Sequence, residues 1–545
     1  MCTKLSLPLA LCVIALLLLT IVAGSDAAMA QGTFLAGAAK AKITPQGPVW
    51  MAGYDSNRRS IGVHDDLWAR ALVLKSDGQI LAIASVDLLG FPNIYVKRVC
   101  DLVKSVPANS ILIAATHVHS GPDVIGLWGP KEGESGVDQA YVDSLIKAVA
   151  QVIEEAAAGM KPATVRYAAG DLPGISKNVN VAEILDTGIA ALQVAGEDAK
   201  PIATLVNFAC HPEIMQNNYI TADFPNWTYQ RIEEKAGGVA LYINGAQGGM
   251  ITANIEDIYQ KGQDNWDDAA RIGNAIADKG LEILAAVNAA PNPTVVLKTS
   301  PLLVPLDNER FNAAISAGVL PDFREDHNVR TEIAAGTIGR AEFATIPGEA
   351  FPNIGLLLKR WMTGDVKFIF GITQDELGYI MSREDYGLKL YDYETSMSVG
   401  PEMGYLMVDG LKSMIEAVNP PAATAPAAGA PTAGAPTATG SLDDWFMSLP
   451  KQFNPEAAGD MKAVYYFNIT GEGGGDYTVT VADGKCAVEK AKPEKPDLTV
   501  TVAAPDMAGI VSGELDPMAA FMTGKLTLDG DISLAMKIGD LFFAQ

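Results

Sequence analysis

The run "ILIAATHVHSGPD", residues 111–123, is where an apolar stretch turns abruptly into residues that can do chemistry. Two of the chain's 5 histidines, His117 and His119, stand two positions apart at its end. In extended backbone, residues i and i+2 face the same side, so both imidazoles would look into one cleft. Neutral imidazole is the commonest metal ligand. Taken alone, a His-x-His pair is equally a structural pair bonded to loops. His211 in "NFACHPE" follows another apolar run in the same way and tips the reading towards a metal site. With no cysteine cluster to help, histidine and carboxylate suit zinc with an open coordination position. Such an ion lowers the pKa of bound water towards 7, which is hydrolase chemistry.

Other apolar runs also end in polar residues: Asp87 after "AIASV", Asn244 after "ALYI", Glu349 after "FATIPG" and Tyr379 closing "FIFGITQDELG". Singly, Glu349 reads as an ordinary loop carboxylate and Tyr379 as a core aromatic. Sites in open α/β sheets form beyond the carboxyl ends of strands, so these residues can converge. Continuous apolar runs bounded by turns read as buried strands. Helical patterns such as "DQAYVDSLIKAVAQVIEEAAAG" alternate with them. The expected class is α/β, with a mixed, mostly parallel sheet flanked by helices.

Composition narrows the field. The 545 residues are 49% hydrophobic and 19% charged, enough for large cores. A balance of 40 basic against 64 acidic residues gives −24 and argues against nucleic acid. Any membrane contact would not be electrostatic. Residues 1–30 have a basic start, an apolar run and small residues at "AMA", as in a cleavable signal peptide cut after Ala30. Its removal takes Cys2 and Cys12 and leaves Cys100, Cys210 and Cys486, no disulfide framework even in the oxidising compartment of a secreted or periplasmic protein. Residues 419–440 are dominated by Pro, Ala, Gly and Thr and carry no charge at all, a semi-extended linker. They separate a body, 31–418, from a C-terminal module, 441–545. In the module, "MKAVYYFNIT", "DYTVTVADG" and "DLTVTVAAP" read as antiparallel strands followed by helices, an α+β unit.

From about residue 34 to 415 the body resembles the catalytic domain of the neutral/alkaline ceramidases. The landmarks are "AKITP", "MAGY", "GVHDDLWARALVL", "SVDLLG", "ATHVHSGPD", "NFACHPEIM" with "TADFPN", "YINGAQGG", "IPGEAF", "GYIMSRED" and "YDYET". The resemblance implies a zinc amidase that cuts the N-acyl bond of ceramide. It implies His117, His211, Glu349 and Tyr379 as zinc ligands and His119 beside the substrate, stabilising the oxyanion. Tyr393 would be a substrate-side hydrogen-bond donor, and Lys177 in "ISKNV" would stand where the family has an arginine. One departure is plain. Where the family continues "GDVSPN", this chain reads "GGMITAN", so Gly249 replaces an aspartate. That change bears on ceramide as the substrate more than on the metal.

The module, about residues 441–545, resembles the SCP-2 sterol-binding family. The resemblance implies an apolar tunnel, for which Met507, Met518, Phe521, Met522, Met536 and Phe542 offer flexible lining. The same residues are equally an ordinary core. The combined expectation is a secreted zinc hydrolase acting on an N-acyl lipid or small-molecule substrate, with a tethered module holding an apolar ligand. Two other readings remain: a zinc esterase or amidase on a non-ceramide substrate, and a lipid carrier whose hydrolase body is degenerate.

Overall fold

The computed structural model describes residues 34–249, 251–256, 265–418, 442–459, 461–471, 473–512, 520, 525–531, 534, 537–538 and 541–542. The signal-like segment, the linker, and Met250, Met518, Phe521, Met522 and Met536 lie outside them. The described residues fall into two compact units, one within Met1–Thr424 and one within Ala425–Gln545.

The body begins with a large mixed sheet. Its strands are β1 (Leu35–Lys42), β2 (Trp68–Ser76), β3 (Gln79–Val86), β4 (Ile111–Ala115), β5 (Lys161–Asp171), β6 (Gly188–Gly196), β7 (Pro201–Phe208) and β8 (Val239–Asn244). Their order is β8-β7-β6-β5-β1-β2-β3-β4. A second sheet follows in the order β9 (Val295–Pro305), β10 (Asn328–Ile338), β11 (Ala341–Thr345) and β12 (Val366–Phe370). The sheets meet face to face through Leu72, Ile83, Val165 and Leu241 on one side and Phe343, Phe368 and Phe370 on the other. Helices α1 (Asn93–Leu102), α2 (Gln139–Ala158), α3 (Phe224–Ala236) and α4 (Trp266–Ala285) cover the outer face of the first sheet. Helices α5 (Pro352–Trp361) and α6 (Glu402–Val418) cover the second. The result is four layers, helix, sheet, sheet, helix. Strands with apolar neighbours on both faces must read as unbroken apolar runs, as "ILIAA" does.

The α/β class with a mixed sheet stands. The pairing differs from the mostly parallel expectation. Only the outer pairs of the first sheet, β3 with β4 and β7 with β8, run parallel. Between them every pair is antiparallel. Asp77 and Gly78, at φ 48° and 81°, turn β2 directly into β3. Two-residue turns with both residues in the left-handed region force antiparallel pairing.

Local signals explain the helices. Asp138 caps α2 by accepting from the amides of Ala140 and Tyr141. Tyr141, Leu145, Ile146, Val149, Val152 and Ile153 then bury one stripe against the sheet. Asp223 caps α3 by accepting from the Phe224 amide, with Pro225 in the first turn and Gly237 beyond the end.

The second unit is a five-stranded sheet, β15-β14-β13-β16-β17, of β13 (Ala463–Thr470), β14 (Gly475–Ala482), β15 (Lys485–Glu489), β16 (Leu498–Ala503) and β17 (Leu526–Gly530). β13 and β14 are antiparallel, as expected, but β16 runs parallel to β13. The sequence reading passed over β15, which pairs with β14 after a turn at Asp483 and Gly484. With β14 on one edge of β13, the chain crosses to the other edge and arrives in the same direction. Helices α7 (Leu442–Gln452) and α8 (Ala504–Ser512) complete the described α+β unit, with Phe446 stacked on Tyr477 at 4.0 Å. Met507 and Phe542 lie in its apolar core.

Candidate active site

The three parallel pairs of the body's two large sheets, β3 with β4, β7 with β8 and β11 with β12, carry the site beyond their carboxyl ends. Asn207 ties the sheets together there. Its amide nitrogen donates to the carbonyls of Ile243, Asn244 and Ile369, and its oxygen accepts from the Ile369 amide at 3.1 Å. Asn244 clamps two strand exits by donating to the carbonyls of Thr116 and Cys210.

β4 ends at Ala115, so His117 and His119 lie past the strand rather than within its alternation. His117 has φ 73°, a left-handed conformation costly for a residue with a Cβ. That turn aims its ring inward, and its Nδ1 donates to the Leu89 carbonyl at 2.7 Å. His211 Nδ1 donates to the Ile251 carbonyl at 2.8 Å. A carbonyl can only accept, so both rings carry hydrogen on Nδ1 and present Nε2. Both Nε2 atoms point at one oxygen: Glu349 Oε2 lies 3.3 Å from His117 and 3.0 Å from His211. Two imidazole lone pairs and a carboxylate cannot share a point unless positive charge sits among them. Burial opposes ionisation of Glu349, yet His117 and His211 hold its carboxyl well below the usual range. Burial likewise opposes charge on His211, but its bond to Glu349 and the Glu213 charge raise it to about 9. The three atoms converge as the ligands of a cation would. The donors suit zinc in type and mutual spacing, and the Nδ1 bonds to main-chain carbonyls are the usual support of ligating histidines.

Tyr379 enters from a loop beyond the second sheet. The two-residue strand Glu349–Ala350 pairs in parallel with Tyr379–Ile380, placing Tyr379 across from Glu349. Burial and the Glu349 charge push its phenol well above the usual value. Gly378, at φ 73°, passes against the Met397 carbonyl with no room for a side chain. His119 is buried, and neither ring nitrogen has a hydrogen-bond partner among the described residues. Burial, then His117 and His211, keep its pKa well below the usual value, so it is a neutral imidazole. Its ring lies 5.0 Å from that of His117. Three histidines, His117, His119 and His211, can thus offer nitrogen atoms within 4.8 Å of one another.

A cleft of about 750 Å³ opens onto this cluster, lined by Tyr54, His119, His211, Glu213, Tyr379 and Tyr393 among others. A narrower apolar recess adjoins it, with Ile125, Leu127, Phe311, Phe323 and Met397 in its wall. Tyr393 is 57% exposed at the mouth, with its ring 5.9 Å from that of Tyr379. The structure therefore brings together His117, His119, His211, Glu349, Tyr379 and Tyr393. Lys177 is placed otherwise: its amine donates to the Ile255 carbonyl at 2.6 Å, and it lines neither the cleft nor the recess. In the departing loop, Gly248 passes so close to the Glu349 carbonyl that a Cβ would overlap it. The described part of "GGMITAN" thus acts as a close-packed support behind Glu349.

Two carboxylates went unread in the sequence. Glu213 follows His211 by two residues and is buried. Glu376, in "QDELGY", can offer an oxygen within 4.8 Å of those of Glu349 and His117. Its signal was only its place three residues before Tyr379.

This is a four-layer α/β body with a histidine and carboxylate metal-type site at its strand ends. Residues 34–257 match the family "Neutral/alkaline non-lysosomal ceramidase, N-terminal", and residues 446–543 match the "SCP-2 sterol transfer family". The chain thus joins a ceramidase-type body to an SCP-2-type module. Neutral ceramidase of Pseudomonas aeruginosa is 29% identical over 152 residues, 26% of this chain and 23% of that one. Hydroxysteroid dehydrogenase-like protein 2 of Xenopus laevis is 25% identical over 135 residues, 25% of this chain and 32% of that one. The chain therefore spans a third or less of the length of these curated relatives. The crystal structure of the Pseudomonas aeruginosa neutral ceramidase shares the fold, with TM-score 0.59, 19% identity and 86% of each chain covered.

Proposed function

We propose that the body is a zinc-dependent hydrolase cutting the amide bond of an N-acyl lipid such as ceramide, and that the module holds an apolar ligand. The observation that carries this is the aim of two Nδ1-protonated histidines at Glu349 Oε2. His117, His211, Glu349 and Tyr379 would hold the ion, which when bound supplies a Lewis acid and acidifies water. His119, whose ring nitrogens have no hydrogen-bond partner among the described residues, would donate a hydrogen bond to the oxygen on which negative charge develops. Tyr393 at the mouth would bond the substrate's polar part. The apolar recess would take the acyl chain. The leader-like residues 1–30 support a secreted or periplasmic location.

The test is metal content and amide hydrolysis of the purified chain beside His117→Ala. About one zinc per chain and cleavage of an N-acyl lipid, both lost in the variant, are expected. Metal binding without cleavage of any acyl compound favours the carrier reading. Cleavage of esters alone favours the esterase reading. Absence of bound metal even after incubation with zinc refutes the mechanism.

A further inference from the structure

The two hollows that meet at the histidine cluster differ in size and in wall. The recess encloses about 70 Å³ and the cleft about 750 Å³. At about 10–15 Å³ for each water-sized site, the recess has room for about six methylenes of one chain and none for a second. Its wall includes Leu89, Ile125, Leu127, Phe311, Phe323 and Leu377. The cleft wall instead carries Asp55, Ser56, Asn57, Gln216, Asn217 and Asn218, and Ile61 is its one aliphatic side chain among the described residues. His119, Tyr379 and Tyr393 line both hollows and so mark the boundary between them.

An amide at that boundary has its two halves in unlike surroundings. With the acyl chain in the recess, the amine half lies in the cleft. An alkyl tail there would cover polar side chains without replacing the water they bind, which is costly. Hydroxyl groups on the amine half keep those side chains hydrogen-bonded. Charge narrows the class further. Arg58 is the one Lys or Arg in the cleft wall, and its guanidinium already donates to the carbonyls of Ala52, His119 and Asn217. Asp55 and Glu213 stand in the same wall. A negatively charged amine half would therefore meet carboxyl groups with no unoccupied guanidinium or ammonium to offset them.

Resting on the hydrolase reading above, we propose that the preferred substrates carry a single alkyl chain, on the acyl side, and a large hydroxyl-rich amine half without negative charge, of the amino-sugar or amino-alditol kind. Two-tailed N-acyl lipids are then the poorer substrates. As the C–N bond breaks, water adds its OH to the acyl carbon and a hydrogen to the nitrogen, releasing a fatty acid and a polar amine.

The experiment uses the full-length chain loaded with zinc and its Ser56→Leu, Asn218→Leu double variant. Three amides with the same octanoyl group and the same CH₂–NH–CO unit are compared below their aggregation concentrations: N-octanoylglucamine, N-octyl octanamide and N-octanoylglycine. The readouts are kcat/KM, calorimetric binding and zinc content. We expect kcat/KM on the glucamine amide at least about tenfold above either of the others, and its lead over the octyl amide cut to about threefold or less in the variant, with zinc content unchanged. Cleavage of N-octyl octanamide or N-octanoylglycine as fast as the glucamine amide overturns the proposal and leaves the hydrolase reading standing. An unchanged preference in the variant, or zinc lost with the substitutions, also overturns it, because the amine half is then not read by this wall. Binding that favours the glucamine amide without turnover of any amide keeps the preference of the cleft and removes the hydrolase reading. Binding of none overturns both.

Discussion

Asp123 gathers the loop that walls one side of the recess. It is buried, and its two oxygens accept four backbone amides: Oδ1 from Ile125 at 3.0 Å and Gly126 at 2.8 Å, Oδ2 from Trp128 and Gly136 at 3.1 Å each. The loop so gathered carries Ile125, Leu127 and Trp128 into the recess. Trp128 is further held by its indole N–H on the Tyr54 carbonyl at 2.7 Å. Asp123→Asn keeps the shape but leaves one oxygen. If that oxygen serves Ile125 and Gly126, an NH₂ group faces the amides of Trp128 and Gly136. Two bonds to a charged acceptor are lost, at about 1.5–3 kcal/mol each. Relaxation and water would return part of this, so the net destabilisation is expected at about 2–4 kcal/mol.

The assay is amide hydrogen exchange of the full chain, resolved to residues 123–136, with urea unfolding beside it. Exchange is the better readout, because the two units need not unfold together. The amides of Trp128 and Gly136 should lose protection most, and KM for long-chain substrates should rise more than kcat falls. Unchanged protection of these amides in the variant would refute the claim that Asp123 holds the wall.

Three further outcomes follow from the structure. Asp223 has its carboxyl raised to about 7 by burial, against bonds from the Met215 and Phe224 amides. A raised folded pKa gives stability that is full below the unfolded value and lost as pH rises through the folded one, so the parent's advantage over Asp223→Asn should shrink by a few kcal/mol at most between about pH 4 and pH 8. Denaturation midpoints of both at each pH check this, and a gap that grows with pH refutes it. Gly378→Ala places a methyl group onto the Met397 carbonyl at φ 73°. It should displace Tyr379 and weaken zinc binding at least tenfold, read by chelator competition. If the module supplies lipid to the body through its linker, a protease site cut into residues 419–440 should slow hydrolysis of a dispersed long-chain amide and leave a short soluble one unchanged. Equal rates before and after the cut on both substrates sink that coupling.

Much of the body was legible because its strands are buried on both faces. "ILIAA", "ATLVNF" and "ALYIN" need no partner to be read as strands, and the polar residue ending each is visible at once. The Asp77-Gly78 hairpin was also written in the sequence, yet the runs on either side drew attention to strand content and away from pairing direction. The polar ends of the apolar runs picked out Glu349 and Tyr379, and the resemblance supplied their role as ligands. Each is ordinary alone, and only the two-residue ladder between them makes them neighbours. Glu376 escaped because a lone carboxylate in a loop carries no mark of its shielding. Lys177 was drawn in by a weak equivalence, and the structure shows its amine occupied by a main-chain carbonyl.

The pairing directions explain why chemistry gathers where it does. An antiparallel pair sends neighbouring chain ends to opposite edges, so it cannot bring two carboxyl ends to one place. The first sheet is mostly antiparallel, and its parallel pairs sit at its two ends in strand order. On their own these pairs would be far apart along a flat sheet. Twist and the facing second sheet close that distance: Asn244 bonds the exits of both β4 and β7, and Asn207 bonds both β8 and β12. The histidines therefore come from the first sheet, and Glu349 and Tyr379 from the loops beyond the second. The site exists only where the two are held together. It follows that Asn207→Ala, which leaves every cleft residue in place, should loosen zinc as well as the fold. Zinc affinity of the variant, measured under conditions where it remains fully folded, decides the matter. An unchanged affinity would mean that each sheet positions its residues without the other.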